Sequence, residues 1–350
     1  MTAYLVLENG TIMKGEYFGA HGEITGEVVF ATGMTGYLET LTDQSYYGQI
    51  VLQTFPLIGN YGVIPPDFES ANVGARAYIV KHPCKNPSNF RCEGTLDAFL
   101  KERGITGLYG IDTRALTRII RENGVMNGKI TAASPTEADI AETKAYSIKN
   151  AVAAVSSHTV VKSLPDRSQV VRRVALMDFG AKRGIANALT ARGCEVWSFP
   201  HDASAQEILK IKPDGIMLSN GPGDPAESAN NGIIETLRIL QKSGVTIFGI
   251  CLGHQLMALA NGYSTRKLKF GHRGANQPVK ELSTGRVFIT SQNHGYAVVS
   301  DNGSFVNVND GTCEGMDYGV SFSVQFHPEA CGGPLDTSFL FDRFIERMNK

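Results

Sequence analysis

The sequence predicts a two-domain α/β protein, with a mostly parallel sheet in the C-terminal part and a smaller mixed β/α domain before it. Three observations lead there. At 350 residues the chain exceeds one average core, on a soft prior of about 150 residues per domain. Its first part is rich in Gly, Thr, Val and Tyr, in short extended segments separated by turn signals. From Arg173 onward apolar strands alternate with helices, the pattern of a parallel sheet covered on both faces. The expected division is 1–150, a linker at 151–171, and 172–350.

In the first domain, strands are expected at 4–7, 27–31 and 49–54, with turns at Glu8-Asn9-Gly10 and Gly59-Asn60. Residues 112–123 read as a helix: Asp112 or Thr113 caps it, Leu116, Ile119 and Ile120 form an apolar stripe, and Gly124 stops it. Residues 133–150 read as a surface helix capped at Ser134, before Pro135. The linker is polar and weakly periodic from Ser156 on.

In the second domain, strands are expected at 174–177, 195–199, 215–218 and 246–250. Helices fall at 182–192, 205–211 and 231–242, and another runs on from the last strand to Gly262. An apolar strand at 320–326 follows, and the tail 335–348 reads as an amphipathic helix. Ligands on such sheets bind at the carboxyl ends of the strands.

Composition excludes several roles. A formal net charge of −1 offers no basic field for nucleic acid or an acidic membrane surface. No apolar run reaches the ~20 residues that span a bilayer. The N-terminal stretch lacks a basic start followed by a long apolar segment, so no signal peptide is expected. The cysteines are scattered without a C-x-x-C pair, which argues against a zinc site or disulfide scaffold and for a reducing cytoplasm. No phosphate loop occurs: Gly124 to Lys129 falls one residue short of G-x-x-x-x-G-K.

The most specific local signal is Gly249-Ile250-Cys251-Leu252-Gly253, between a strand and a helix. This is the thiol counterpart of the G-x-S-x-G nucleophile elbow. The chain doubles back there, so neighbours two residues either side need to lack a Cβ. The first N–H groups of the helix favour an anion at the cysteine. The elbow alone defines an activated thiol, which hydrolases, peptidases and amidotransferases all use.

A thiol that attacks an amide needs a group to take and return protons, usually His. His254 lies inside the helix and reads as packing or a surface contact; His294 lies in Ser291-Gln-Asn-His-Gly295, read as a loop. His327 precedes Pro328 and Glu329. Proline pushes its predecessor toward extended geometry, and alternate residues of an extended chain project together. His327 and Glu329 then form base and orienter, completing a Cys–His–Glu triad. The loop Leu218-Ser-Asn-Gly221-Pro-Gly223-Asp-Pro225 follows a strand and can bring backbone donors close to a ligand. Gly221 and Leu252 N–H groups are the expected oxyanion hole.

Taken together, F-G-I-C-L-G-H-Q, S-N-G-P-G-D-P and H-P-E resemble the class I, triad-type glutamine amidotransferases across residues 172–350, implying a flavodoxin-like domain. The first domain, with T-G-M-T-G-Y from Thr32, P-L-I-G-N-Y-G from Pro56 and G-I-D-T-R-A-L-T-R from Gly110, resembles the N-terminal domain of the carbamoyl-phosphate synthase small subunit. Further on, D-F-G-A-K-R from Asp178 and K-F-G-H-R from Lys269 also fit that small subunit, so the resemblance covers essentially the whole chain. The resemblance implies glutaminase activity. It also implies L-glutamine contacts at Ser45, Gly221, Gly223, Leu252, Gln255, Asn293, Gly295 and Tyr296. The ammonia would go to a large subunit that holds ATP and Mg and uses bicarbonate, with no metal or cofactor on this chain. Two other readings stay open: the glutaminase of another synthetase, and a non-catalytic regulatory subunit. Tyr296 stands where the family often has Phe, Gln44 where a proline is common, and Cys331 close to Glu329 is unexpected.

Overall fold

The computed structural model describes the chain apart from residues 166–169, 230–231, 331 and 350, and the side chains of 228–229. Cys331 and the first residue of the helix expected at 231–242 lie outside the described residues. Two units result, Met1–Lys149 and Asn150–Lys350.

The N-terminal unit contains β1 (Thr2–Leu7), β2 (Ile12–Gly19), β3 (Ile24–Ala31), β4 (Gln49–Gln53) and the short β5 (Leu57–Ile58). They are followed by β6 (Ala77–Val80), the short β7 (His82–Pro83), β8 (Thr106–Tyr109) and β9 (Met126–Thr131). A closed barrel runs β1-β2-β8-β6-β4-β3-β9. Its β3–β4, β4–β6 and β6–β8 pairs are parallel and the others antiparallel, so the domain is mixed, as the sequence indicates. Helices α1 (Tyr37–Thr42), α2 (Leu96–Glu102), α3 (Thr113–Asn123) and α4 (Glu137–Ala145) flank it.

Helix α3 begins as its residues dictate: the Ala115 N–H donates to the Asp112 carboxylate (2.9 Å), and Gly124 ends it at φ 99°. Helix α4 is shorter than expected and starts at a different cap. Thr136, not Ser134, forms a reciprocal capping box with Asp139, which satisfies two orphan N–H groups at once. The helix is held down by Lys129 on β9, whose side chain is buried. Its ammonium lies 2.7 Å from Glu142, 2.9 Å from Asp139 and 3.2 Å from Glu23.

The C-terminal unit carries α5 (Ala151–Val155), β10 (Val161–Ser163), β11 (Arg172–Asp178), α6 (Arg183–Thr190), β12 (Cys194–Pro200), α7 (Ala205–Lys210) and β13 (Gly215–Leu218). Next come α8 (Pro225–Ala229), α9 (Ile233–Lys242), β14 (Thr246–Ile250), α10 (Leu252–Ala260), β15 (Ser264–Glu281), β16 (Val287–Val299), β17 (Phe305–Asn307), β18 (Cys313–Tyr318), β19 (Ser321–Val324) and α11 (Phe339–Arg347). The sheet order is β10-β12-β11-β13-β14-β19-β18-β16-β15-β17. Strands β12-β11-β13-β14-β19 are parallel, and antiparallel strands extend the sheet beyond them. Residue alternation fills both faces: Val174 and Leu176 pack with α6 and α11, Ala175 and Met177 with α7, α9 and α10.

Residues 151–163 differ from the linker expected there. Val152 on α5 is buried, and β10 pairs antiparallel with β12. The polar composition misled because β10 is an exposed edge strand, which needs no apolar face. The segment 291–295, expected as a loop, lies inside β16. Among the described residues no helix is long and apolar enough to cross a membrane.

Replacing Lys129 by Met leaves Glu23, Asp139 and Glu142 without their shared cation. The variant should lose about 1–3 kcal/mol, the scale of buried charge-assisted hydrogen bonds. Urea denaturation measures it; an unchanged midpoint would mean the cluster contributes nothing to stability.

Candidate active site

Four parallel strands lie side by side, and the chain leaving the carboxyl end of each one supplies part of a single constellation. After β14 comes Cys251, with φ 54° and ψ −103°, a left-handed value rarely held by a residue with a Cβ. Its N–H donates to the Val324 carbonyl on β19 (2.9 Å), which pins the turn to the sheet. The flanking glycines are sterically required. A Cβ on Gly249 would lie 2.8 Å from the Gly253 carbonyl carbon, and one on Gly253 would lie 2.5 Å from the Leu218 carbonyl oxygen. The strained strand-to-helix turn inferred from G-x-C-x-G is therefore the observed geometry.

After β13 comes the Gly221 loop. A Cβ on Gly221 would collide with the Phe179 carbonyl oxygen and lie 2.8 Å from Leu252 Cδ2. That places the loop against the first residue of α10, beside Cys251. Gly223 adopts φ 90°, which suits a residue without a side chain.

After β19 the chain delivers His327 and Glu329, both buried. His327 Nδ1 lies 2.6 Å from Glu329 Oε1, the geometry the His-Pro-Glu spacing predicts. Burial and the Lys182 ammonium oppose a charge on this ring. The Glu329 carboxylate and the Cys251 sulfur outweigh them, so His327 holds its proton well above the ordinary histidine range. Burial likewise opposes a charge on Glu329, but His327 and Lys182 outweigh it and hold its carboxyl below the usual range.

After β11 comes Lys182, which the sequence did not single out for the site. Its ammonium lies 3.6 Å from Glu329 Oε1, and the side chain is buried. The preceding turn is built to carry it. Asp178 Oδ1 accepts from the N–H groups of Gly180 (2.9 Å) and Ala181 (2.8 Å), and Asn220 Oδ1 accepts from Lys182 N–H (3.0 Å). The one signal available was the D-F-G-A-K-R motif, which marks a turn but not the burial of its lysine.

The antiparallel extension contributes β16. The Asn293 carbonyl accepts from Cys251 Sγ (3.7 Å). Gln255, one turn into α10, donates its side-chain amide to the Tyr296 carbonyl (2.8 Å) and to Gln325 Oε1 (2.9 Å). Between these two residues, a Cβ on Gly295 would approach Arg273 Nη2 to 3.2 Å. The Tyr296 ring faces Lys267, 6.0 Å away. Ser45 belongs to the N-terminal unit, on a 3₁₀ turn where its N–H donates to Asp43 (2.9 Å).

His254 is fully buried with Nδ1 2.8 Å from the Ser323 hydroxyl, and burial pushes its pKa down to about 3. It packs and makes no surface contact. Burial also pushes the Cys194 and Cys313 thiols up to about 11. Among the described residues, one group could in principle hold a metal: His272, His294 and Glu314. Their donor atoms are hydrogen-bonded to protein groups except His272 Nδ1, which lies 3.4 Å from Glu314 Oε1 without a hydrogen bond.

Residues 175–347 match the family described as glutamine amidotransferase class-I. Fold and site therefore define the class of the C-terminal unit: a class-I glutamine amidotransferase domain. Residues 5–130 match the carbamoyl-phosphate synthase small chain, CPSase domain. The chain is 50% identical to the carbamoyl phosphate synthase small chain of Clostridium perfringens, covering 99% of each. It is 51% identical to that of Fusobacterium nucleatum (99% of this chain, 98% of the relative). The pyrimidine-specific small chain of Bacillus subtilis is 49% identical (99% and 96%). The chain belongs to the carbamoyl phosphate synthase small chain family.

Two outcomes follow from this geometry. Gly253→Ala forces the elbow away from Leu218 and should cost about 1–3 kcal/mol in thermal or urea unfolding, the usual cost of overpacking; a neutral variant would show that the two backbones can separate freely. Lys182→Met removes a cation that opposes the imidazolium, so His327 should keep its proton to higher pH. Titration of its ring resonances by NMR checks the sign, and a downward shift contradicts it.

Proposed function

We propose that this chain hydrolyses L-glutamine for a carbamoyl-phosphate synthase, with Cys251 as nucleophile, His327 as acid and base, and Glu329 as orienter. The observation that carries this reading is the strained thiol turn facing a buried His–Glu pair, in a chain of this family. Cys251 passes its thiol proton to His327 and its Sγ attacks the carboxamide carbon, and the oxygen takes the negative charge toward the Gly221 and Leu252 N–H groups. The C–N bond then breaks as His327 gives its proton to the departing nitrogen, leaving a γ-glutamyl thioester and ammonia. Water attacks the thioester while His327 takes its proton. The S–C bond breaks as His327 returns that proton to the sulfur, so glutamate leaves and the thiol is restored.

Glu329 keeps the ring oriented and stabilises its charge. Lys182 fixes Glu329 in place and keeps it ionised. Asn293 and Tyr296 offer backbone groups, and Gly221, Gly223 and Gly295 permit close approach by the substrate. With both side-chain amide contacts spent on Tyr296 and Gln325, Gln255 would meet glutamine through Oε1. Ser45 as a glutamine contact rests on the resemblance alone.

Ammonia is useful only if it meets an electrophile before it is lost to water. We assign that electrophile to a large-subunit partner that uses ATP, Mg and bicarbonate, reached by an internal passage, in the cytoplasm. The product would feed pyrimidine or arginine synthesis.

The test uses the chain together with a large subunit. Cys251→Ser should abolish glutamine-dependent carbamoyl phosphate formation while added ammonia still supports it. Retained glutamine turnover in that variant would remove Cys251 from the mechanism. A wild-type complex that hydrolyses glutamine but makes no carbamoyl phosphate would remove the synthase assignment.

A further inference from the structure

The side-chain amide of Gln255 carries two hydrogens and one oxygen, and the fold places them separately. Nε2 donates to the Tyr296 carbonyl on β16 (2.8 Å) and to Gln325 Oε1 (2.9 Å). A main-chain carbonyl only accepts, so the nitrogen and not the oxygen must face β16. Among the described residues, Gln255 Oε1 has no protein partner. One hydrogen bond alone would let the amide pivot about it. Two acceptors on different strands fix its plane, and with it the direction in which Oε1 points.

Gln325 is built into the sheet as the second acceptor. It directly follows β19, the seam that pairs parallel with β14 and antiparallel with β18. Its predecessor Val324 supplies the carbonyl that pins Cys251 N–H, and its own N–H donates to the Glu314 carbonyl on β18 (2.9 Å). The side chain is fully buried. Its Nε2 is buried too, and has no hydrogen-bond partner among the described residues. Turning this amide over would set its NH₂ group against that of Gln255. A buried N–H without a partner is costly, and methionine would fill the same space without one. What methionine lacks is a strong acceptor for Gln255.

The oxygen fixed in this way needs a donor. In the reaction above, the substrate carboxamide is committed: its carbon to Cys251, its oxygen to the Gly221 and Leu252 N–H groups, its nitrogen to His327. The donor that glutamine has left is its α-ammonium group. We propose that Gln325 is a positioning residue for substrate selection, holding the Gln255 amide in one plane so that Oε1 meets that ammonium. The proposal rests on the glutaminase reading of the site. Gln325 acts through Gln255, so its effect falls on which amide is accepted.

The experiment compares three amides as substrates of the complex with the large subunit. They are L-glutamine, glutaramate, which lacks the ammonium group, and γ-aminobutyramide, which lacks the carboxylate. In Gln325→Met the kcat/KM preference for glutamine over glutaramate should fall about tenfold, the scale of one hydrogen bond to a charged group. The preference over γ-aminobutyramide, which keeps the ammonium, should stay within about twofold. Each preference is a ratio within one variant, so a loss common to all three substrates cancels. Gln325→Glu again turns an oxygen to Gln255 and should restore the preference over glutaramate, which repair of packing would not do. Two unchanged preferences in Gln325→Met, or equal falls in both, overturn the proposal. Should Gln325→Met fail to fold, Gln325→Glu should still prefer glutamine over glutaramate as the wild type does, and loss of that preference overturns it. If the wild type hydrolyses none of the three, the glutaminase reading fails separately. The lock is then read by NMR from hydrogen exchange of the Gln255 side-chain amide, about tenfold faster in Gln325→Met than in the wild type. Equal exchange rates overturn the proposal.

Discussion

The site depends on one close approach of two backbones, the first turn of α10 against the end of β13. The Gly253 N–H donates to the Ser219 carbonyl (3.0 Å), and its Cα faces the Leu218 carbonyl with no room for a methyl group. Only from that position can β14 turn directly into α10, and the cost of the turn is carried by Cys251 at positive φ. The strain is held from both sides, by the Val324 carbonyl on β19 and by the Gly249–Gly253 contact. A thiol on an ordinary strand end would lie in the sheet with its neighbours. Here it stands above the sheet, where the carboxyl ends of β11, β13 and β19 converge.

Electrostatics complete what the backbone begins. Among Lys182, Glu329, His327 and Cys251, the first three form a buried chain of alternating sign when the ring is protonated. That chain has one more positive than negative charge, and its open end is the ring edge beside Cys251. Negative charge developing at the sulfur or at an attacked carbonyl would meet a pre-arranged complement. The glycine-rich Gly221 loop lies on the other side of the same position. Lys182 is thus more than a helix-start residue: it opposes a proton on His327 while holding the carboxylate that favours one.

Much of this was legible in the sequence, for reasons that can be named. Cys251 was legible because a strained turn leaves a steric signature, glycine two residues to either side. His327 and Glu329 were legible because proline fixes local geometry, and the observed pair has the predicted side-to-side contact. The parallel strands were legible because burial on both faces demands unbroken apolar runs. Lys182 was not, since its burial comes from the neighbouring strand order and from Asn220, far away in sequence. β16 was not, because Gln292, Asn293 and His294 are too polar to read as a strand. They are buried only because β15 and β18 bring partners of matching polarity, such as His272 opposite His294 and Glu314 beside Gln292. The cap of α4 was misjudged because two threonine- or serine-type starts lay within three residues, each with an acid three positions on: Glu137 after Ser134 and Asp139 after Thr136.

The two halves of the sheet therefore divide the chemistry by kind. Parallel strands end together, so they can bring a thiol, an imidazole, a carboxylate, a cation and backbone donors to one place from four distant points in the sequence. Antiparallel strands run past that place and present main-chain groups along their length, which suits recognition of a small zwitterion better than reactivity. Asn293 and Gln255 join the halves, one through its carbonyl at the thiol and the other through its amide on Tyr296. A substitution in the parallel half should change what the site can do to an amide. One in the antiparallel half should change which amide it holds, and how tightly. None of this selects the recipient of the ammonia, which is why the same thiol turn alone was compatible with several synthetases. That choice was readable chiefly from the first domain, whose motifs lie on a separate barrel with its own core.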